Sequence, residues 1–186
     1  RDDKGLKMTD TSALASLDAN LDAALARLFD LLRIKSISTD PAFKADCAKA
    51  AQWLADDLNS IGFTASVRPT PGHPMVVAHA KAAKANAPHV LFYGHYDVQP
   101  ADPLELWKTP AFEGTVIGNR IYGRGAADNK GPLLTNIAAV AKLLEENPKV
   151  PLRITFLVEG EKRTRYRANV YRFVPGLVSI ADIMAA

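Results

Sequence analysis

The sequence predicts an α/β fold of three layers, with helices on both faces of a central sheet. Three observations carry that prediction. Amphipathic helical stretches alternate with short apolar strands along the chain, the pattern of elements that pack helix on sheet. Pro88–Tyr93 is a nearly continuous apolar run, as expected of a strand covered on both faces. A glycine-rich segment, Gly123–Gly131, stands where a strand hands over to a helix. The chain has 186 residues, 48% of them hydrophobic and 23% charged, which suffices for one domain with a core and excludes disordered, collagen-like and disulfide-scaffold classes.

In chain order, Leu14, Leu17, Leu21, Leu25, Leu28 and Leu32 recur at steps of three and four, so a helix is expected from Ser12 to about Arg33. Ile34–Asp40 reads as a loop. Pro41 suits the first turn of a second helix, whose face is Phe43, Cys47, Ala50, Leu54, Leu58 and Ile61 and whose stop is Gly62. Phe63–Arg68 and Met75–Ala80 read as strands around the turn-rich stretch Pro69–Pro74. Two short strands, Gly114–Ile117 and Arg120–Tyr122, flank the turn pair Gly118-Asn119. A third helix is expected from Gly131-Pro132 with Leu133, Ile137, Val140, Ala141 and Leu144 on one face, followed by a last strand, Leu152–Val158.

The net charge of +3 resides in the tail: residues 161–186 hold five basic side chains (Lys162, Arg163, Arg165, Arg167, Arg172) against Glu161 and Asp182. A neutral body with a short basic tail gives no footprint for nucleic acid, and no nucleic-acid partner is expected. No apolar run approaches the roughly 18 residues that span a bilayer, so no membrane partner is expected either. The single cysteine, Cys47, has no internal partner and lies on an apolar helical face; a buried thiol and a cytoplasmic location are expected. Met8 fits a natural start, with residues 1–12 a flexible extension.

Two segments carry chemistry. In Gly94-His95-Tyr96-Asp97-Val98-Gln99-Pro100, directly after the apolar strand, His95 offers a neutral imidazole for a metal, and Asp97 can hold its other ring nitrogen. Taken alone, a His-X-Asp also fits a satisfied loop histidine beside a turn aspartate. In Gly123-Arg124-Gly125-Ala126-Ala127-Asp128-Asn129-Lys130-Gly131 the glycines let the backbone approach a ligand. Both phosphate-loop patterns fail: no Ser or Thr follows Lys130, and Asp128 stands where a dinucleotide loop has its third glycine. A carboxylate there attracts a cation. Lys130 reads either as an electrostatic aid to the site or as a solvated side chain, Arg124 as loop packing, Trp53 and Trp107 as packing residues, and His73, His79 and His89 as structural or solvated.

With Trp107-Lys108-Thr109-Pro110-Ala111-Phe112 between them, these segments resemble the dinuclear-zinc family of carnosinase-type dipeptidases, aminoacylases, acetylornithine deacetylases and succinyl-diaminopimelate desuccinylases, over roughly residues 15–160. Tyr96 and Val98-Gln99-Pro100 lean toward the dipeptidases. The resemblance implies a zinc-exopeptidase-like catalytic domain and hydrolysis of the amide bond of a dipeptide or N-acyl amino acid. It implies two zinc ions per complete site, replaceable by cobalt or manganese. His95 would ligate one zinc, Asp128 would bridge both, and Asp97 would serve the catalytic apparatus by orienting the site. The Asp128–Asn129 peptide would be cis.

The sequence departs from the family after Glu159. Where the family has Glu-Gly-x-Glu-Glu, its pair supplying a general base and a metal ligand, this chain reads Glu159-Gly160-Glu161-Lys162-Arg163. Lysine is a poor base at neutral pH and arginine cannot bind a cation. Residues 13–160 are therefore expected to be the N-terminal part of the catalytic domain and 161–186 an atypical basic tail, as a shifted reading frame or truncated gene would give. The family's dimerisation domain is expected to be missing, metal binding to be weak and hydrolysis by this chain negligible. A catalytically dead remnant, or a non-enzymatic binding or regulatory half-domain, is the alternative.

Overall fold

The computed structural model describes residues 19–80 and 87–161. The expected N-terminal extension, the first turns of the first helix and the tail beyond Glu161 lie outside the described residues.

Helix α1 (Leu21–Arg33) buries Leu28, Leu31 and Leu32, whereas Leu21, expected on the same stripe, is 53% exposed. Only the last two turns of α1 reach the core. A 3-10 turn, Pro41–Phe43, leads into α2 (Lys44–Ser60), and Asp40 caps that turn by accepting a hydrogen bond from the Ala42 amide at 2.9 Å. The α2 face Cys47, Ala50, Ala51, Leu54, Ala55 and Leu58 is buried, most of it fully. Gly62 ends the segment at φ +92°, the left-handed conformation that L side chains resist, as its position in the sequence predicts. Asn59 then both accepts from the Ala65 amide and donates to the Ala65 carbonyl, tying the helix end to the next strand. Arg27 grips Asp57 through two hydrogen bonds of 2.9 and 2.7 Å and links α1 to α2.

Strands β1 (Phe63–Arg68), β2 (Met75–Ala80), β3 (His89–His95) and β6 (Arg153–Glu159) form one sheet in the order β1-β2-β6-β3. β1–β2 and β2–β6 pair antiparallel, and β6–β3 pair parallel. Between β3 and β6 lie a short hairpin of β4 (Thr115–Ile117) and β5 (Arg120–Tyr122) and helix α3 (Lys130–Glu146). Val76, Ala78, Ala80, Ile154, Phe156 and Val158 share one face with the apolar stripes of all three helices in a single core. Met75, Val77 and Leu157 form a smaller cluster on the opposite face.

The α/β class is as predicted; among the described residues all three helices line one face of the sheet, so the expected second helical layer is not among them, and one strand reading is corrected. β3 was expected to be covered on both faces, yet its residues up to Phe92 are half-buried and Tyr93 is 50% exposed. The reason is position: β3 is the edge of the described sheet, and β6, inside it, is the deeply buried strand. Ile34–Asp40 is also more ordered than a loop, since Ile37 bridges Val98 in parallel and Ser36 and Ser38 are buried.

Candidate metal centre

The parallel register aligns His95 with Glu159, so β3 and β6 end side by side on one rim of the sheet. Segments leaving the carboxyl ends of parallel strands are where α/β proteins hold ligands. The Tyr96 amide donates to the Glu159 carbonyl at 2.9 Å and extends the pairing past the strand.

His95 is 1% exposed, and its two ring nitrogens face different partners. Nδ1 lies 3.1 Å from both the Asp97 backbone carbonyl and Asp97 Oδ1. Both are acceptors, so a proton on Nδ1 would have two oxygens to bond. Nε2 lies 2.9 Å from Asp128 Oδ1. Asp97 is fully buried, and its other oxygen accepts from Ser38 Oγ at 2.7 Å. Asp128, by contrast, has a side chain 49% exposed and faces outward from the rim.

The Gly123–Gly131 segment brings Asp128 to this point. Gly125 adopts φ +90°, and the Asp128–Asn129 peptide is cis, as the resemblance implied. Asn129 precedes α3 without capping it; its Oδ1 accepts instead from the His95 amide at 3.3 Å. One side chain thus joins the two motifs.

Lys130 is not solvated, which corrects one of the two expectations for it, and its amine faces the end of α1 while sharing an electrostatic interaction with Asp97. It is fully buried and donates to the carbonyls of Leu31 at 2.9 Å and Ile34 at 2.7 Å, which close α1 and also accept from the Ile34 and Ser36 amides. Burial drives its pKa down to about 7, against the opposing pull of Asp97 and Asp46. Glu159 is pushed above the usual carboxylate range, chiefly by burial and further by the charge on Asp97; the Tyr93 hydroxyl donates to it and pulls the other way. Tyr96 is fully buried, donates to the Pro74 carbonyl at 2.7 Å, and has its phenol pKa raised by burial.

The remaining candidates sort as structural. His73 Nε2 bonds the Ser38 carbonyl at 3.0 Å, while His79 and His89 both contact Thr155 Oγ1. Trp107 donates to the Ala101 carbonyl at 2.7 Å and stacks under the Arg124 guanidinium at 5.2 Å, and Trp53 packs against the core. The sequence reading missed Ser36 and Ser38. Their signal was available: Ile34, Ser36, Ile37 and Ser38 are small or apolar, with only Lys35 charged among them, which suits a buried connection better than a surface loop.

A neutral imidazole and a carboxylate are apt donors for a divalent transition metal. Bonds of about 2.0–2.1 Å to a tetrahedral zinc would separate two ligand atoms by roughly 3.3 Å, and the 2.9 Å between Nε2 and Oδ1 is within a few tenths of that. The fit is that of part of a site, because no cluster of three or more His, Cys, Asp or Glu side chains suited to a metal occurs among the described residues.

Residues 91–170 match the model of peptidase family M20/M25/M40. That segment belongs to the family. The match spans both metal-centre motifs and continues past Lys162 and Arg163. Beta-Ala-His dipeptidase of Rattus norvegicus is 40% identical over 159 residues, covering 77% of this chain and 32% of the relative. The crystal structure of human carnosine dipeptidase 1 superposes with a TM-score of 0.76 at 29% identity, over 83% of this chain and 35% of that one. An M20 family metallo-carboxypeptidase from Sulfolobus solfataricus gives a TM-score of 0.66 at 36% identity, over 74% of this chain and 30% of that one. The chain therefore spans about a third of the length of these family members.

Proposed function

We propose that the protein is a zinc-dependent hydrolase of the amide bond of a dipeptide or N-acyl amino acid, and that His95 and Asp128 are ligands of its metal centre. The observation that carries this reading is the pair of contacts on His95: Nδ1 faces Asp97 Oδ1 at 3.1 Å while Nε2 faces Asp128 Oδ1 at 2.9 Å. Family membership and the dipeptidase and metallo-carboxypeptidase relatives support it.

A zinc ion held there would polarise the amide carbonyl and make water a competent nucleophile at neutral pH. The chain's own residues do the preparatory work. Asp97 would fix the tautomer and ring plane of a metal-bound His95. Asn129 fixes the backbone from which His95 projects, and buried Tyr96 and Val98 hold the loop against the core. The half-exposed Asp128 carboxylate keeps the rim open to a substrate.

A second reading is a non-catalytic binding or regulatory unit. The observation favouring it for residues 1–186 is Lys162-Arg163, two cations where the resemblance places a general base and an acidic ligand. Loss of a positioned general base costs about 10²–10⁴-fold in rate. The test is zinc analysis of the dialysed chain together with a dipeptidase assay. Turnover that is lost to a chelator and restored by zinc supports the hydrolase. Zinc bound without turnover favours the second reading, and failure to bind zinc removes the hydrolase reading and leaves the second. The reading includes no nucleic-acid or membrane partner, and a reducing compartment such as the cytoplasm suits the buried thiol of Cys47. Among the described residues no helix is long and apolar enough to cross a membrane.

A further inference from the structure

We infer that Ile34–Ser38 is a brace that sets the two halves of the metal centre against each other, with Ser38 and Lys130 as its positioning residues. The inference deepens the metal-centre reading and rests on it for its purpose, though not for its geometry.

The brace touches both motifs. On the His95 side, Ser36 Oγ donates to the Tyr96 carbonyl at 2.7 Å, and the Val98 amide donates to the Ser36 carbonyl at 2.9 Å. Ser38 Oγ donates to Asp97 Oδ2 at 2.7 Å, leaving Oδ1 for His95. On the Asp128 side, Lys130 Nζ donates to the carbonyls of Leu31 and Ile34, at the root of the brace. Lys130 stands two residues past Asp128 and opens α3, so this anchor fixes where the Asp128 turn meets the helix. The halves also meet directly: a Cβ on Gly125 would lie 2.9 Å from Val98 Cγ1 and 3.2 Å from Lys130 Cδ.

The parts make a closed circuit: Asp128 to Lys130, Lys130 to Ile34, Ile34 along the backbone to Ser38, Ser38 to Asp97, Asp97 to His95, and His95 back to Asp128. Ser36, Ser38, Asp97, His95 and Lys130 are all 5% exposed or less, so water does not compete for these bonds. A ring of directional bonds holds a ligand pair to tenths of an ångström where packing alone would not. Ser38 is therefore the third member of a hydroxyl–carboxylate–imidazole chain. Without its bond the Asp97 carboxylate loses one of its restraints, and the Oδ1 contact to Nδ1 is held less firmly beside the backbone carbonyl of Asp97.

The experiment uses the full 186-residue chain, uniformly labelled with ¹⁵N, in wild-type, Ser38→Ala, Ser38→Thr and Lys130→Met forms. The metal-free readout is the His95 Nδ1–H resonance, assigned by its absence in His95→Gln. A sharp, slowly exchanging signal is expected in wild type and in Ser38→Thr, which keeps the hydroxyl. It is expected to broaden or vanish in Ser38→Ala and in Lys130→Met. In parallel, zinc titration is expected to show about tenfold weaker affinity in both of these variants. A signal unchanged in Ser38→Ala or in Lys130→Met overturns the brace. Should the wild-type chain fail to bind zinc, the metal-centre reading falls while the proton comparison still decides the brace. A variant that loses the dispersed spectrum of the folded chain is replaced at its position by Ser38→Cys or Lys130→Gln, judged by the same signal.

Discussion

His95 serves two partners through two nitrogens, and the chemistry depends on keeping them distinct. Replacing Asp97 by alanine removes the carboxylate acceptor for Nδ1, leaving only the backbone carbonyl there, and keeps Nε2 and Asp128 in place. Zinc affinity is expected to fall about 10–100-fold, measured by competition with a chromogenic chelator, because partners of metal-bound histidines typically carry that much. An affinity equal to wild type would show that Asp97 does not tune His95. Cys47 offers a prediction of the opposite kind. It is fully buried and its thiol is pushed up to about 12, first by burial and then by the charge on Asp97. The native chain at pH 8 is expected to resist an aromatic disulfide reagent, and one thiol per chain should react once urea unfolds it. Rapid labelling of the native chain would contradict the packing of α2.

Among the elements, the glycine turns divide into two kinds that should respond differently to one methyl group. Gly62 has φ +92° and open space within 4 Å of the position a Cβ would take, so Gly62→Ala meets only backbone strain, about 1–2 kcal/mol. Gly125 has φ +90° and would also press its Cβ against Val98 and Lys130. Gly125→Ala is expected to add an overpacking cost of about 1–3 kcal/mol to the same strain. Urea midpoints of the two variants check the difference, and equal losses would mean that the Gly125 neighbours give way freely. These elements also show what the sequence could disclose. The periods of α2 and α3, the strands and the Gly118 turn were legible because apolar spacing and turn residues are local signals. The edge position of β3 was not, since a half-covered edge strand and a buried strand can carry the same apolar run until the pairing order is known. His95, Asp97 and Asp128 were legible from their motifs. Ser38 and the true role of Lys130 were not, because their partners lie 59 residues away and 96–99 residues away, and no local pattern encodes a contact that only folding creates.

For the whole molecule, two buried groups shape stability against pH in opposite senses. Lys130 is depressed in the fold from 10.5 to about 7, so from about pH 7 upward the unfolded chain binds the extra proton and stability rises with pH. Cys47 is raised from 9.0 to about 12, so above pH 9 the folded chain binds the extra proton and stability falls. The urea midpoint is expected to climb between pH 7 and 9, level off where the two effects overlap, and fall above about 10.5, with slopes of at most about 1.4 kcal/mol per pH unit. Lys130→Met is expected to remove the climb and leave the alkaline fall. A climb that survives the substitution would place its origin elsewhere. The exposed side of β3 bears on how the molecule meets its own copies. A seven-residue strand paired on one side only, among the described residues, presents its outward amides and carbonyls as a rail for a foreign strand. Sedimentation of the purified chain is expected to show mass rising with concentration. The same rim that gathers His95 and Asp128 would then border the surface along which molecules crowd together, making solubility and site accessibility two readings of a single sheet edge.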